Sequence, residues 1–213
     1  MMPNTKHMVE MYKEHHQRVF DKHGETPKGV DWGDRRHDHI LRLDRMLSVA
    51  QTFPCNATQF SLLDVGCGYG SLYDRALELE VPIEYTGIEL VDDMLTHVRT
   101  DKPEANWITG DVLTHTFVDP FDYVITNGTL TQKLELTIPE MEEYSKTMIK
   151  RMFSLCRKGV AFNLMSSHVN FMVPNLYYTN PLEVIAWCMS EVSPKIRVDH
   201  AYPLFEYTVY LYR

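Results

Sequence analysis

The sequence predicts an α/β protein whose helices flank a doubly wound, mainly parallel sheet of seven strands. From about residue 60 onward, short apolar segments alternate with segments of helical periodicity. A glycine-rich turn in LLDVGCGYGSLYD joins the first predicted strand to its helix. The last two predicted strands are separated only by a short turn, which predicts an antiparallel hairpin at the C-terminus. We expect a single domain over 1–213, with a helical cap or lid over 1–60 and the sheet over 61–213.

The predicted cap consists of two amphipathic helices joined by a loop. Apolar residues recur at three- and four-residue steps, which is typical of a helix with one buried face. The first stripe comprises Met8, Met11, Tyr12, His15, Val19 and Phe20, and the second comprises Ile40, Leu41, Leu43, Met46, Leu47 and Ala50. The intervening HGETPKGVDWGD is rich in Gly, Pro and Asp and predicts an ordered loop.

The rest of the chain is assigned in order to strands and helices. The predicted strands are 61–65, 83–90, 105–109, 121–126, 160–165, 195–200 and 205–212. The predicted helices are 71–80, 92–100, one that begins near 137, and 181–190. The helix near 137 has the clearest start, because Thr137 is followed by an early Pro and by Glu140. Two basic residues and a glycine, Arg157-Lys158-Gly159, are expected to end it.

Composition limits the classes of function. The chain has 213 residues, 44% of them hydrophobic, and a formal net charge of −8. An acidic balance argues against a nucleic-acid partner, since binding to phosphate backbones requires clustered Lys and Arg. No apolar run is long enough for a membrane helix, and the N-terminus lacks the apolar centre of a signal peptide. We therefore expect a cytoplasmic monomer or homodimer with no membrane or nucleic-acid partner.

Cysteine and histidine spacing predicts no metal site. Cys55, Cys67, Cys156 and Cys188 form no C-x-x-C pair, and reduced thiols are the simplest interpretation. The pairs His15-His16 and His37-x-His39 lack the four-residue spacing that places two ligands on one helix face.

The glycine-rich turn is the strongest chemical signal. Glycines 66, 68 and 70 leave no Cβ where the strand ends, so a ligand can approach the backbone amides closely. In a dinucleotide fingerprint, G-x-G-x-x-G, the third glycine would replace Ser71. Asp64 would also repel a diphosphate, whereas its carboxylate suits a ligand with an ammonium group and a sulfonium, such as S-adenosylmethionine (SAM). This spacing disfavours a nicotinamide dehydrogenase.

The pattern Asp64-x-Gly66-x-Gly68-x-Gly70 resembles the first motif of the class I SAM-dependent methyltransferases. The resemblance runs from about residue 60 to 213 and includes Glu89 in TGIEL, Asp111 in TGDVL, the strand FDYVITNG and the closing hairpin. It implies SAM as cofactor and S-adenosylhomocysteine (SAH) as product. It also implies that the glycine turn lies beside the methionine part, that Glu89 binds the ribose hydroxyls and that Asp111 binds the adenine amino group.

Each assignment has a structural alternative. The glycine turn could be purely structural, and Glu89 and Asp111 could be helix caps or solvated loop acids. Leu90, Met94 and Trp107 could line the adenine or belong to the core. The expected cofactor-binding residues are Asp64, Gly66, Cys67, Gly68, Gly70, Glu89, Leu90, Asp111, Val112 and Asn127.

Methyl transfer from a sulfonium needs mainly alignment and exclusion of water. A general base is needed only if the nucleophile must lose a proton, so no catalytic residue is assigned. The fourth strand ends in Thr126-Asn127-Gly128-Thr129, without the Asn/Asp-Pro-Pro-aromatic sequence of enzymes that methylate adenine bases or protein glutamine. We expect a small-molecule acceptor with an oxygen or nitrogen nucleophile. Methylation of a protein or RNA, or a non-catalytic SAM-binding protein, are the alternatives.

Two segments are candidates for the acceptor pocket. The N-terminal segment offers Tyr12, His16, Trp32 and Arg36 as a lid over the cofactor. The loop after the fifth strand is long for a connector and is predicted to open on the ligand face. Its candidate residues are His168, Tyr177 and Tyr178, whose rings with polar tips suit a planar or polar substrate.

Overall fold

A computed structural model describes residues 5–51 and 59–213. Cys55, predicted to be a reduced thiol, lies outside the described residues. The strands are β1 (Phe60–Val65), β2 (Ile83–Glu89), β3 (Asn106–Thr109), β4 (Phe121–Thr126), β5 (Cys156–Ser166), β6 (Tyr178–Thr179), β7 (Ile196–Asp199) and β8 (Glu206–Tyr212). The helices are α1 (Thr5–His23), α2 (Arg36–Leu47), α3 (Ser71–Glu78), α4 (Asp92–Thr96), α5 (Val98–Asp101), α6 (Ile138–Leu155) and α7 (Pro181–Glu191). No helix within these ranges is both long and apolar enough to cross a membrane.

The strands form one sheet in the order β3-β2-β1-β4-β5-β8-β7. All pairs are parallel except those of β8, which is antiparallel to both β5 and β7. The predicted mainly parallel sheet with a C-terminal antiparallel hairpin is therefore confirmed. The short strand β6 pairs with the end of β5 and was not predicted, because two residues are too few to show a periodicity.

The order of the sheet reverses at β1, which has β2 on one side and β4 on the other. In an open sheet of this kind, ligands bind in the crevice at the carboxyl ends of the strands on either side of that point. Three such ends, at Val65, Glu89 and Thr126, therefore meet at one edge of the sheet.

Alternate residues of the central strands are buried on opposite faces of the sheet. Leu63 and Val124 pack in the core beneath α6, whereas Leu62 and Tyr123 pack in the core beneath α2 and α3. All four side chains are at most 1% exposed. A strand buried on both faces needs helices on both sides, which the alternation of strands and helices supplies.

The N-terminal helices lie on the two opposite faces of this sheet. Met8 and Tyr12 of α1 join the same core as α6, and Leu43 and Met46 of α2 join the opposite core. The segment between α1 and α2 includes a short 3₁₀ helix, Pro27–Val30. The two helices agree with the helical segments expected within 1–60.

Helix α6 begins as predicted but ends earlier. Thr137 and Glu140 form a reciprocal capping box. The prediction that Arg157-Lys158-Gly159 ends the helix is wrong, since α6 ends at Leu155 and these residues lie in β5. A Cβ at Gly159 would lie 2.8 Å from the carbonyl oxygen of Leu211 in the neighbouring strand, so this glycine serves strand packing.

The helix predicted over 92–100 is interrupted. His97 separates α4 from α5, and the chain there forms two short helices instead of one. Trp107 of β3 lies beneath this region with its indole N–H donating to the carbonyl of Lys102.

Candidate functional site

A cavity lies at the carboxyl ends of β1, β2 and β4, where the order of the sheet reverses. Residues of these strand ends form one side of it. The other side is formed by α1, by the segment that joins α1 to α2, and by α2 itself, through residues such as Tyr12, Trp32 and His39. The cavity is therefore built from both halves of the chain.

Two glycines of the turn after β1 line the cavity, and each has a backbone conformation that favours glycine. Gly66 has φ of 72° and Gly68 has φ of 55°. A Cβ at Gly66 would lie 2.5 Å from Oγ1 of Thr129, and one at Gly68 would lie 2.8 Å from Cγ1 of Val30. The turn is thus held between the loop after β4 and the segment after α1, with no space for a side chain.

The third glycine of the turn, Gly70, was expected to bind the cofactor but does not line the cavity. Gly70 is buried and caps the start of α3, where a Cβ would lie 2.5 Å from the Trp107 ring. Trp107 in turn packs against Tyr73 and Tyr85 in the core. Neither Gly70 nor Trp107 lines the cavity, because the chain has already turned into the helix at this point.

Two buried carboxyl groups meet beside the turn. Oδ2 of Asp64 accepts a hydrogen bond of 2.7 Å from the Tyr85 hydroxyl. Burial raises the pKa of Asp64 to about 7, the Tyr85 hydrogen bond opposes this shift, and the charge of Glu89 adds to it. A carboxyl group with this pKa is ready to ionise when a cation enters the cavity.

Glu89 is held by backbone amides. Its Oε2 accepts from the N–H of Gly68 at 3.0 Å. Its Oε1 accepts from the N–H groups of Leu90 at 2.8 Å and Val91 at 3.2 Å. Burial raises the pKa of Glu89 and these amides oppose the shift. The carboxylate is therefore fixed in orientation, and it ties the glycine turn to the end of β2.

The remaining predicted cofactor residues lie along the same wall. Asp111 and Val112 follow β3, and Oδ1 of Asp111 accepts from the N–H of Leu113 at 2.9 Å. Asn127 follows β4 and has a buried Oδ1 without a partner among the described residues. Cys67 is fully buried, and burial raises the pKa of its thiol well above the ordinary value, so the thiol is neutral. Leu90 and Met94 also line the cavity.

Three of the predicted acceptor-pocket residues line the opposite wall, namely Tyr12, His16 and Trp32. Tyr12 donates from its hydroxyl to the carbonyl oxygen of Gln132 at 2.7 Å, which fixes the ring. The Tyr12 ring stacks on Tyr144 with centroids 5.8 Å apart. The His16 ring also stacks on Tyr12, with the ring centroids 6.3 Å apart.

Four residues predicted for the acceptor pocket do not line this cavity. Arg36 is the first residue of α2 and is exposed, and His168 is also exposed. Tyr177 is buried in the core, and the Tyr178 hydroxyl accepts from the N–H of Val173 at 3.2 Å. The reason is that the loop after β5 folds back to pair β6 with β5, so it contributes Leu176 to the cavity instead of these rings.

Several cavity residues were not identified from the sequence. Asp31, His39, Gln132 and Tyr144 all line it. Only Asp31 has a local signal, because it lies in a Gly- and Asp-rich segment and adopts φ of 61°, a conformation that Asp tolerates. His39, Gln132 and Tyr144 reach the cavity only through tertiary packing.

A chain of polar contacts connects the cavity wall to the last strand. The Arg42 guanidinium lies 4.1 Å from the centroid of the Trp32 ring. Its Nε is 2.5 Å from Oε1 of Glu206, which is 1% exposed. Asn163 donates to the other oxygen of Glu206 and accepts from the N–H of Gly128 at 2.8 Å. The positions of the segment after α1 and of the loop after β4 are thus coupled.

The sequence is similar to methyltransferases. Residues 62–159 match the family model of a methyltransferase domain. The Mycobacterium tuberculosis protein Rv1506c, whose name assigns it to the methyltransferases, is 27% identical over 157 residues. The match covers 72% of this chain and 93% of that relative.

Solved structures with a similar fold contain SAM. Magnesium protoporphyrin IX methyltransferase from Synechocystis PCC 6803 with bound SAM has a TM-score of 0.64 and 14% identity, covering 100% of this chain and 98% of that one. SAM-bound CalS10 from Micromonospora echinaspora, an amino pentose methyltransferase, has a TM-score of 0.58 and 18% identity, covering 85% and 92%. At these identities the likeness shows a shared fold.

Proposed function

We propose, on the premise that the chain is a class I SAM-dependent methyltransferase, that it transfers a methyl group from SAM to a small-molecule acceptor at oxygen or nitrogen. SAH is the expected product. The single observation that carries this proposal is the convergence of Asp64, Glu89 and the Gly66–Gly68 turn on one cavity at the reversal of the sheet.

Three carboxyl groups of the cavity suit the polar groups of the cofactor. Asp64 would hold the ammonium group of SAM, since a carboxylate with a pKa of about 7 ionises readily beside a cation. Glu89 is held by amides in an orientation suited to accepting the ribose hydroxyls. Asp111 has one oxygen bonded to its own turn, and its other oxygen is available for the adenine amino group.

The bound cofactor would supply an electrophilic methyl group on a sulfonium. This chain's residues then have to align the acceptor and exclude water. Tyr12 and Trp32, from the segment before the sheet, cover the cavity on the side opposite the glycine turn. The Trp32 ring packs directly on Gly128, where a Cβ would lie 2.5 Å from the ring.

The cavity is of the size of a small-molecule site. Its volume is about 250 Å³, near the lower end of the range for small-molecule sites. The magnesium protoporphyrin and amino pentose enzymes of similar fold are named for small acceptors, which supports the same class here.

Binding calorimetry with SAM, SAH and NAD tests the cofactor assignment. We expect SAM and SAH to bind and NAD not to bind. Asp64→Ala and Glu89→Ala should each weaken SAM binding at least tenfold. The control is Asp119→Ala, which removes an exposed carboxylate that does not line the cavity and should leave SAM binding unchanged. Binding of NAD without SAM, or unchanged SAM affinity in both cavity variants, would contradict the proposal.

A further inference from the structure

We call the part of the cavity wall that contains Asp31, Arg42 and the rings of Tyr12 and Tyr144 the acceptor half. If Asp64, Glu89 and Asp111 serve the cofactor, the charged side chains that remain on the described wall are Asp31 and Arg42. Arg42 is already neutralised, because its Nε lies 2.5 Å from the nearly inaccessible Oε1 of Glu206. The acceptor half therefore offers one carboxylate, Asp31, and no unpaired cation among the described residues that line it.

Asp31 is positioned to receive a ligand with one of its oxygens. Its Oδ2 is 2.8 Å from Nε2 of His15 and accepts from Nε2 of Gln132 at 2.8 Å. Its Oδ1 has no partner among the described residues, and 31% of the side chain is exposed. Burial opposes ionisation, but the hydrogen bonds from His15 and Gln132 hold the pKa of Asp31 below its ordinary value. The carboxylate is thus charged at neutral pH and has a free acceptor.

The wall around Asp31 is largely aromatic. Tyr12 and Tyr144 stack in the cavity wall, and Trp32 directly follows Asp31. Burial lowers the pKa of His16 to about 4, with a further lowering from His15 and an opposing effect of Asp31. His16 is therefore a neutral imidazole and does not compete for the carboxylate. Aromatic faces beside a carboxylate attract organic cations.

The cavity wall also contains buried polar atoms without hydrogen-bond partners among the described residues. Among the described residues, both ring nitrogens of His39, which is 6% exposed, lack partners, as does Oε1 of Gln132. An unpartnered buried polar atom costs free energy that a hydrogen-bonding ligand can recover. The wall is built for a ligand with several polar groups as well as an apolar body.

We infer that the methyl acceptor is an amine, which enters as its ammonium form, pairs with Oδ1 of Asp31 and lies against the rings of Tyr12 and Tyr144. This inference rests on the proposed function and narrows it from oxygen or nitrogen to nitrogen. An anionic acceptor would need an unpaired cation in the wall. An alcohol would carry no positive charge to pair with Asp31.

The ammonium loses one proton to solvent, which exposes the nitrogen lone pair. That pair forms the new C–N bond while the C–S pair passes to sulfur, so the sulfonium becomes the neutral thioether of SAH. The product is a methylated ammonium that still pairs with Asp31. Each turnover therefore releases one proton to solvent.

Probe binding tests the inference without knowledge of the natural acceptor. Calorimetry on the SAH-loaded protein would compare benzylammonium, benzyl alcohol and benzoate, which share a ring and differ in charge. We expect benzylammonium to bind at least tenfold more tightly than either analogue. Equal or tighter binding of benzyl alcohol or benzoate would overturn the inference, as would the absence of benzylammonium binding.

A matched pair of variants isolates the carboxylate. Asp31→Asn keeps an acceptor for His15 and Gln132 and tolerates the positive φ, so the loop should be retained. It should weaken benzylammonium binding at least tenfold and leave SAH affinity unchanged. Asp34→Asn, which removes an exposed acid of the same loop, should change neither. Unchanged benzylammonium affinity in Asp31→Asn would overturn the inference.

The two proposals fail in different ways. If SAH does not bind the wild-type protein, the cofactor assignment fails and the acceptor inference falls with it. If SAH binds but the wild-type protein shows no preference for the ammonium probe, only the acceptor inference is overturned.

Discussion

Asp64 should make cofactor binding depend on pH. Its pKa is raised to about 7, first by burial, so the carboxyl group is largely protonated below pH 7 in the empty cavity. An ammonium ligand requires the ionised form, and the affinity for SAM should therefore rise with pH. For one linked proton we expect an increase of about tenfold between pH 6 and pH 8. Calorimetry at pH 6, 7 and 8 measures it.

The control for this prediction is Asp64→Asn, which keeps an acceptor for the Tyr85 hydroxyl but cannot ionise. Its SAM affinity should be low and nearly independent of pH across the same range. A wild-type affinity that is flat from pH 6 to pH 8, or that falls as the pH rises, would show that Asp64 is not the linked group.

Gly66 should be intolerant of a side chain. Alanine would have to adopt φ of 72° and place its Cβ 2.5 Å from Oγ1 of Thr129. We expect Gly66→Ala to lower the free energy of unfolding by about 1–3 kcal/mol and to weaken SAM binding. Gly33→Ala is the control, because a Cβ there has no atom of the described residues within 4 Å. Urea denaturation and calorimetry measure both effects, and equal stability of the two variants would contradict the prediction.

At the scale of single elements, local signals were sufficient for some boundaries and not for others. The start of α6 could be predicted because Thr137 and Glu140 cap it within one turn. The end could not, because the group that stabilises it comes from the far end of the chain. Arg213 donates to the carbonyl oxygens of Phe153 and Cys156, both at 2.7 Å. No pattern around residue 155 shows this contact.

Arg213 should therefore contribute to stability through α6. Its guanidinium also lies 4.7 Å from the centroid of the Phe153 ring. We expect Arg213→Ala to lower the free energy of unfolding by about 1–2 kcal/mol, since it removes charged hydrogen bonds from carbonyls at a helix end. Arg157→Ala, at an exposed position of β5, should have little effect. Urea denaturation compares the two, and a similar loss in both would refute a specific role for Arg213.

For the whole molecule, the two halves of the cavity differ in how far the sequence predicts them. The half proposed to bind the cofactor is local, because Asp64 and the glycine turn are adjacent in sequence and Glu89 ends the next strand. The half proposed to bind the acceptor brings together residues far apart in sequence, such as Asp31 and Gln132, whose side chains are hydrogen-bonded. Such a pair depends on the packing of α1 and its following segment on the sheet, which short sequence patterns do not encode.

The difference in burial between α1 and α6 predicts which helix moves when a ligand enters the cavity. Within the described part of α1, only Met8 and Tyr12 are buried, whereas α6 buries seven residues. A helix with few buried anchors opens at a lower free energy than one at the centre of the core. Hydrogen exchange should therefore be faster in α1 than in α6 without ligand. SAH should slow it in α1 and in residues 27–32, because these segments cover the cavity, and leave α7 unchanged. Equal protection of α1 and α6 in the ligand-free protein would mean that the cavity opens elsewhere.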